Sequence, residues 1–221
     1  MSVAEASIAA GSGTDARWAD LLRGDRVVPV YTPASVEEAV AVGEALLRGG
    51  LHTVEVTLRT PVALDAVRAL SGACPGLAVG AGTILDVAQM EQAHAAGARF
   101  AVSPGGSPAL MQAAVSLELA YLPGVATGSE LMTGLAAGYR TFKVFPAEPI
   151  NALGLLKAWA SPFAAARFCP TGGIDPVRAR EYLALPNVVC VGGSWLTPAD
   201  ALATGDWAEV ERRARDAASI D

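Results

Sequence analysis

Lysine is almost missing from this chain. Lysine and arginine together number 16, and all but Lys143 and Lys157 are arginine. There is no basic block and the formal charge is −6, which argues against a nucleic-acid partner. His52 and His94 are the two histidines. Neither has a partner at metal-ligand spacing, so both read as structural or exposed and no metal is expected. Cys74, Cys169 and Cys190 lack CxxC or metal spacing. Cys169 and Cys190 fall inside apolar strand-like runs and read as small core hydrophobes, which fits a reducing cytoplasm. The longest uncharged runs, Phe100–Leu117 and Tyr182–Ala199, are broken by proline and glycine, so neither reads as a membrane helix. The start of the chain lacks the basic and apolar parts of a secretory signal, and residues 1–13 read as a flexible tail. There is no nucleophile elbow and no Walker loop. Gly80-Ala-Gly-Thr-Ile-Leu85 lacks the third glycine of a dinucleotide fingerprint, and no cofactor is expected.

What is present is apolar and regularly punctuated. Hydrophobic residues make up 52% and charged residues 17%, a balance that implies a sheet buried on both faces. Eight short strand-like runs recur: Val27–Tyr31, Thr53–Leu58, Leu77–Ala81, Arg99–Val102, Leu119–Leu122, Thr141–Phe145, Arg167–Pro170 and Val188–Val191. They start roughly 20–27 residues apart, the spacing of βα units. Helix starts follow them. Ser35 with Glu38, Asp86 with Gln89 and Thr127 with Glu130 have capping-box spacing. Thr60-Pro61, Ser107-Pro108, Asp175-Pro176 and Thr197-Pro198 place a capping side chain before a proline. Gly49-Gly50, Gly97 and Gly138 mark helix ends. The pattern predicts a single (β/α)8 TIM barrel over residues 14–221, with a short N-terminal helix at Asp15–Arg23 and a closing helix at Asp206–Ala218. A doubly wound open sheet is the competing architecture, but no edge strand blunted by charge is visible.

In such a barrel the site lies at the C-terminal strand ends. Lys143 ends an apolar run, between Phe142 and Val144. Desolvation disfavours a charged ammonium, so a free amine able to form a Schiff base is expected there; the alternative is an edge lysine reaching water along its stem. In Thr53-Val-Glu-Val-Thr-Leu-Arg59, alternation puts Thr53, Glu55, Thr57 and Arg59 on one face, turned toward the interior. A carboxylate there is either working or paired with Arg59. Arg59 offers a fork for a planar carboxylate, and Gly80-Ala-Gly-Thr83 could add N–H groups and a hydroxyl to the same anion. Ser103-Pro104-Gly105 shapes another strand end. Thr171-Gly172-Gly173 and Gly192-Gly193-Ser194 end the seventh and eighth strands, the usual phosphate position in these barrels.

Assembled, these segments resemble the bacterial 2-keto-3-deoxy-6-phosphogluconate aldolase / 4-hydroxy-2-oxoglutarate aldolase family, from about Val27 to Trp207. The motifs are Val28-Pro-Val30, Glu55-Val-Thr-Leu-Arg-Thr60, Val79-Gly-Ala-Gly-Thr83, Ser103-Pro-Gly105, Phe142-Lys-Val-Phe-Pro-Ala-Glu148, Arg167-Phe-Cys-Pro-Thr-Gly-Gly173 and Val191-Gly-Gly-Ser-Trp195. The resemblance implies a metal-independent class I aldolase, a cytoplasmic homotrimer acting on a small 2-keto acid (phospho)sugar. It implies Lys143 as the Schiff-base lysine, Glu55 as acid/base, and Arg59 and Thr83 as holders of the substrate carboxylate. Pro104, Phe145 and Thr171 would line the pocket, and Gly172, Gly173, Gly193 and Ser194 would bind phosphate. One departure follows Glu148, where Pro149-Ile-Asn-Ala-Leu-Gly154 replaces the glycine pair that many members place soon after it. The alternatives are the same chemistry on the galactonate epimer, a phosphosugar isomerase or synthase without an imine, and a non-catalytic phosphosugar-binding barrel.

Overall fold

The computed structural model describes residues 16–220. The expected tail over 1–13 lies outside them. The described chain alternates strands and helices: α1 (residues 16–22), β1 (Val27–Tyr31), α2 (Val36–Arg48), β2 (Thr53–Thr57), α3 (Ala63–Ala73), β3 (Ala78–Gly82), α4 (Val87–Ala95), β4 (Phe100–Val102), α5 (Pro108–Ser116), β5 (Ala120–Leu122), β6 (Gly124–Val125), α6 (Gly128–Ala136), β7 (Thr141–Val144), α7 (Ala152–Trp159), β8 (Arg167–Pro170), α8 (Pro176–Leu183), β9 (Val191–Gly193), α9 (Ala199–Thr204) and α10 (Trp207–Ala218).

All strand pairings are parallel. They form a curled six-stranded sheet, β5-β4-β3-β2-β1-β9, and a three-stranded sheet, β6-β7-β8. Single bridges, Phe168 to Val188 and Thr171 to Gly192, connect the β8 side to the β9 side. At the other junction Pro123 separates β5 from β6, because it has no N–H for the ladder, while its carbonyl accepts from Lys143 N at 2.9 Å.

Period-2 alternation sorts the strand side chains into two buried clusters. Val54, Val56, Tyr121, Phe142, Val144 and Phe168 pack outward against the helices. Val28, Phe100, Val102, Leu122, Cys169 and Cys190 pack on the opposite face, and Trp18, Leu21 and Leu22 of α1 cover them. Trp18 meets Phe100 edge-on at 5.0 Å. The inner cluster draws residues from both sheets. Cys169 and Cys190 are buried in it, as expected; the Cys169 sulfur and burial push the Cys190 thiol well above its ordinary range, so it stays a protonated, inert hydrophobe.

Most predicted helix caps form. Ser35, Asp86, Ser107, Thr127 and Asp175 each accept from first-turn N–H groups, and Thr127 with Glu130 completes a capping box. Two do not. Helix α3 begins only at Ala63, and the Thr60 hydroxyl donates instead to the Pro33 carbonyl at 2.9 Å. Helix α9 begins after Pro198 without a side-chain cap from Thr197. The last strand is also displaced from its expected span: Val188 makes one bridge, and the strand runs through Gly192 and Gly193. Those glycines read as a loop, yet they are strand residues crowded from the side. A Cβ on Gly192 would meet Thr171 Oγ1 at 2.3 Å, and one on Gly193 would meet the Trp195 ring at 1.8 Å. The unusual 149–154 stretch forms the entry to α7, with Asn151 left-handed at φ 50°. Among the described residues no helix is long and apolar enough to cross a membrane.

Candidate active site

Lys143 lies in β7 and Glu55 in β2, on different sheets. Their strand neighbours Phe142, Val144, Val54 and Val56 face the helices, so both polar side chains point inward. There they meet. Lys143 Nζ donates to Glu55 Oε1 at 3.1 Å and lies 3.5 Å from Oε2. The two residues are 5% and 3% exposed, which makes this a dry ion pair rather than a surface one. The Lys143 side chain is therefore buried against a carboxylate rather than reaching water along its stem, and the edge-lysine alternative is set aside. The Phe145 ring lies 5.3 Å from the same Nζ. Gly82 makes room for Glu55, because a Cβ there would fall 2.1 Å from Oε1.

Arg59 does not pair with Glu55. Its Nε donates to Thr83 Oγ1 at 3.1 Å across the β2–β3 strand ends. Thr83 holds φ at 61°, a left-handed conformation that costs a β-branched residue energy.

A cleft of about 120 Å³ opens over the amine. Lys143, Arg59, Phe145, Thr171, Gly172, Gly173 and Ser194 line it together with Val30, Thr32, Ile174 and Gly192. Gly172 and Gly173 are left-handed, with φ 107° and 78°. Thr83 joins the site through Arg59. Two expected residues stand apart. Pro104 lines a separate groove with Ile84, Leu85, Gly105, Gly106, Ser107 and Leu110. Gly193 sits beneath the Trp195 ring and does not line the cleft. Sequence reasoning missed Thr32 and Val30, although the strand-end rule that found the others applies equally to β1. The Thr32 hydroxyl shares a 2.7 Å hydrogen bond with buried Thr57.

A buried amine beside a buried carboxylate, at the strand ends of a parallel α/β fold and facing an arginine and two glycine loops, is the equipment of an imine-forming aldolase. The sequence model described as KDPG and KHG aldolase matches residues 19–213. The KHG/KDPG aldolase of Escherichia coli K12 is 48% identical over 191 residues, 86% of this chain and 90% of that protein. The Zymomonas mobilis 2-keto-3-deoxy-6-phosphogluconate aldolase crystallised with 3-phosphoglycerate superposes with a TM-score of 0.86 at 44% identity, covering 92% of this chain and 95% of that one. The Legionella pneumophila KDPG aldolase, with pyruvate captured as a covalent carbinolamine, gives 0.87 at 43% identity, covering 90% and 97%. The chain belongs to the KDPG and KHG aldolase family and is a carbon–carbon lyase.

Proposed function

We propose that this chain cleaves 2-keto-3-deoxy-6-phosphogluconate to pyruvate and glyceraldehyde 3-phosphate through a Lys143 imine, and 4-hydroxy-2-oxoglutarate to pyruvate and glyoxylate by the same route. The observation that carries this reading is the buried 3.1 Å contact between Lys143 Nζ and Glu55 Oε1 at the base of the cleft. Glu55 takes a proton from the Lys143 ammonium, and the amine adds to the C2 ketone. Loss of water, with Glu55 returning a proton to the departing oxygen, leaves a cationic imine. Glu55 next accepts the proton of the C4 hydroxyl. The C3–C4 bond breaks, its electron pair becomes the enamine double bond, and the aldehyde departs. Protonation at C3 and hydrolysis release pyruvate and restore the amine.

Arg59 and Thr83 hold the substrate carboxylate, so that the breaking bond stands across the imine plane. Phe145 and Thr171 line the pocket, whereas Pro104, expected to do so, belongs to the neighbouring groove. Gly172, Gly173 and Ser194 receive the phosphate, where backbone N–H groups and the start of α8 favour an anion; Gly193, expected with them, lies outside the cleft. The two sheets are read as halves of one closed (β/α)8 barrel over residues 14–221. The bridges at β8–β9, the Pro123 carbonyl contact and the shared inner cluster support this. The assembly is read as a cytoplasmic homotrimer, by resemblance to the family.

The test is pyruvate with borohydride, followed by peptide mapping. The adduct is expected on Lys143 and absent from Lys143→Met, which should also have no turnover. An adduct on Lys157, or one that persists in Lys143→Met, overturns the assignment.

A further inference from the structure

Glu148 closes the Phe142–Glu148 motif, five residues beyond the lysine, and the mechanism above gives it no task. Its surroundings do. Behind the cleft, the loop after β7 is laced to the loop after β8. Ala147 N donates to the Thr171 carbonyl at 2.8 Å and Glu148 N to the Gly172 carbonyl at 3.1 Å. The Glu148 stem fills the space beside Gly173, where a Cβ would lie 3.0 Å from Glu148 Cβ and 3.1 Å from its Cγ. The carboxylate points away from the cleft and into α8. Arg178 donates to it through Nε at 3.0 Å and Nη2 at 3.3 Å, and the Tyr182 hydroxyl donates at 2.7 Å. Asp175 caps the same helix by accepting from Val177 N and Arg178 N.

The 171–173 loop is therefore gripped on two sides. Its backbone is tied to the β7 loop, and the helix that follows it is tied to the same β7 loop through one carboxylate. Gly172 and Gly173, at φ 107° and 78°, have no side chains of their own to hold that shape. The fork geometry fixes orientation as well as distance. Burial, then the hydrogen bond to Glu148, pushes the Tyr182 phenol above its usual range, so it stays a donor.

We propose that Glu148 is a positioning residue for the phosphate end of the substrate: it sets the 171–173 loop and the start of α8 relative to Lys143, without touching the reacting atoms. This rests on the phosphate reading of those loops. A residue acting in this way should matter only for substrates that carry the phosphate.

The experiment compares kcat and KM of the full chain and of Glu148→Ala, Glu148→Gln and Tyr182→Phe. The substrates are 2-keto-3-deoxy-6-phosphogluconate and unphosphorylated 4-hydroxy-2-oxoglutarate, and inorganic phosphate serves as a competing ligand. For Glu148→Ala we expect KM for the phosphorylated substrate and Ki for phosphate to rise about tenfold, while kcat/KM for the unphosphorylated one stays within about twofold. Glu148→Gln keeps an acceptor for Tyr182 and should recover part of the loss. Tyr182→Phe should shift KM in the same direction by less, and reports on the clamp even if Glu148→Ala folds poorly. Pyruvate trapping on Lys143 should be unchanged in all three. Equal loss on both substrates, or no loss on either, overturns the inference alone. An unmodified enzyme that forms no pyruvate adduct overturns the aldolase reading, and this inference with it.

Discussion

Lys143 and Glu55 hold hands across the molecule: an amine from the three-stranded sheet donates to a carboxylate from the six-stranded sheet at 3.1 Å, with both side chains buried. Neither sheet contains a complete site. Glu55→Gln keeps the shape and a hydrogen-bond acceptor but removes the carboxylate proposed as the base. Turnover should fall by roughly two to four orders of magnitude, the usual range for a positioned acid/base. Borohydride should still trap pyruvate on Lys143, more slowly. Single-turnover kinetics separate the two effects, and an unchanged cleavage step would remove Glu55 from the chemistry.

Thr83 keeps a strained backbone beside Arg59. Its φ of 61° aims Oγ1 at Arg59 Nε, 3.1 Å away. Thr83→Gly relaxes the backbone, and strain of this kind is worth about 1–3 kcal/mol, less the added freedom of the unfolded chain. We expect the variant to be more stable by about 0.5–1 kcal/mol and poorer at binding the keto acid. Urea denaturation and the KM for substrate, measured on one preparation, check both directions.

Two glycines should respond oppositely to alanine. At Gly82 the new methyl would fall 2.1 Å from Glu55 Oε1, so the carboxylate must leave Lys143. Gly82→Ala should lose about a hundredfold in kcat, the scale of an ångström-level misplacement. Gly72 lies inside α3 with nothing near its missing Cβ. Gly72→Ala should stabilise the chain by about 0.5–1 kcal/mol and leave activity unchanged. Thermal unfolding and steady-state assays of the pair provide the comparison.

The acid limit of the closing helix can be read from Glu209. Hydrogen bonds from Arg212 and then Arg213 hold its carboxyl down at about 2. A depressed carboxylate stabilises the fold fully above its unfolded value, about 4.3, and the contribution is lost as pH falls through the folded value. Carbon-13 titration of the Glu209 carboxyl should show its midpoint near about 2 in the folded protein. The midpoint should move up toward the ordinary range in Arg212→Ala/Arg213→Ala. A midpoint already at the ordinary value would remove these contacts from solution.

Seven of the eight strand-like runs were legible because a parallel strand buried on both faces must be apolar nearly throughout, and β1 and β8 have the expected bounds; the eighth meets β9 only at Val191, and the two-residue β6 was too short to show a pattern. Lys143 and Glu55 were legible for the opposite reason, as polar residues in apolar runs. Partner choice was not. The spacing of Glu55 and Arg59 offered a local pair, yet the carboxylate went to a lysine 88 residues away, because only the third dimension brings β7 opposite β2. Gly192 and Gly193 looked like a turn by composition, and only the Thr171 hydroxyl and the Trp195 ring beside them explain why small residues occupy a strand. Thr60 and Thr197 carry a capping signature but serve no cap; the Thr60 hydroxyl bonds the Pro33 carbonyl instead, an acceptor that local sequence does not specify.

Trp18 and Phe100 meet edge to face beneath the inner cluster. Their contact works as a floor. With Trp18 and Phe100 both buried, no solvent reaches that end of the cluster, so the short helix α1 takes part in holding the inner faces of the two sheets together.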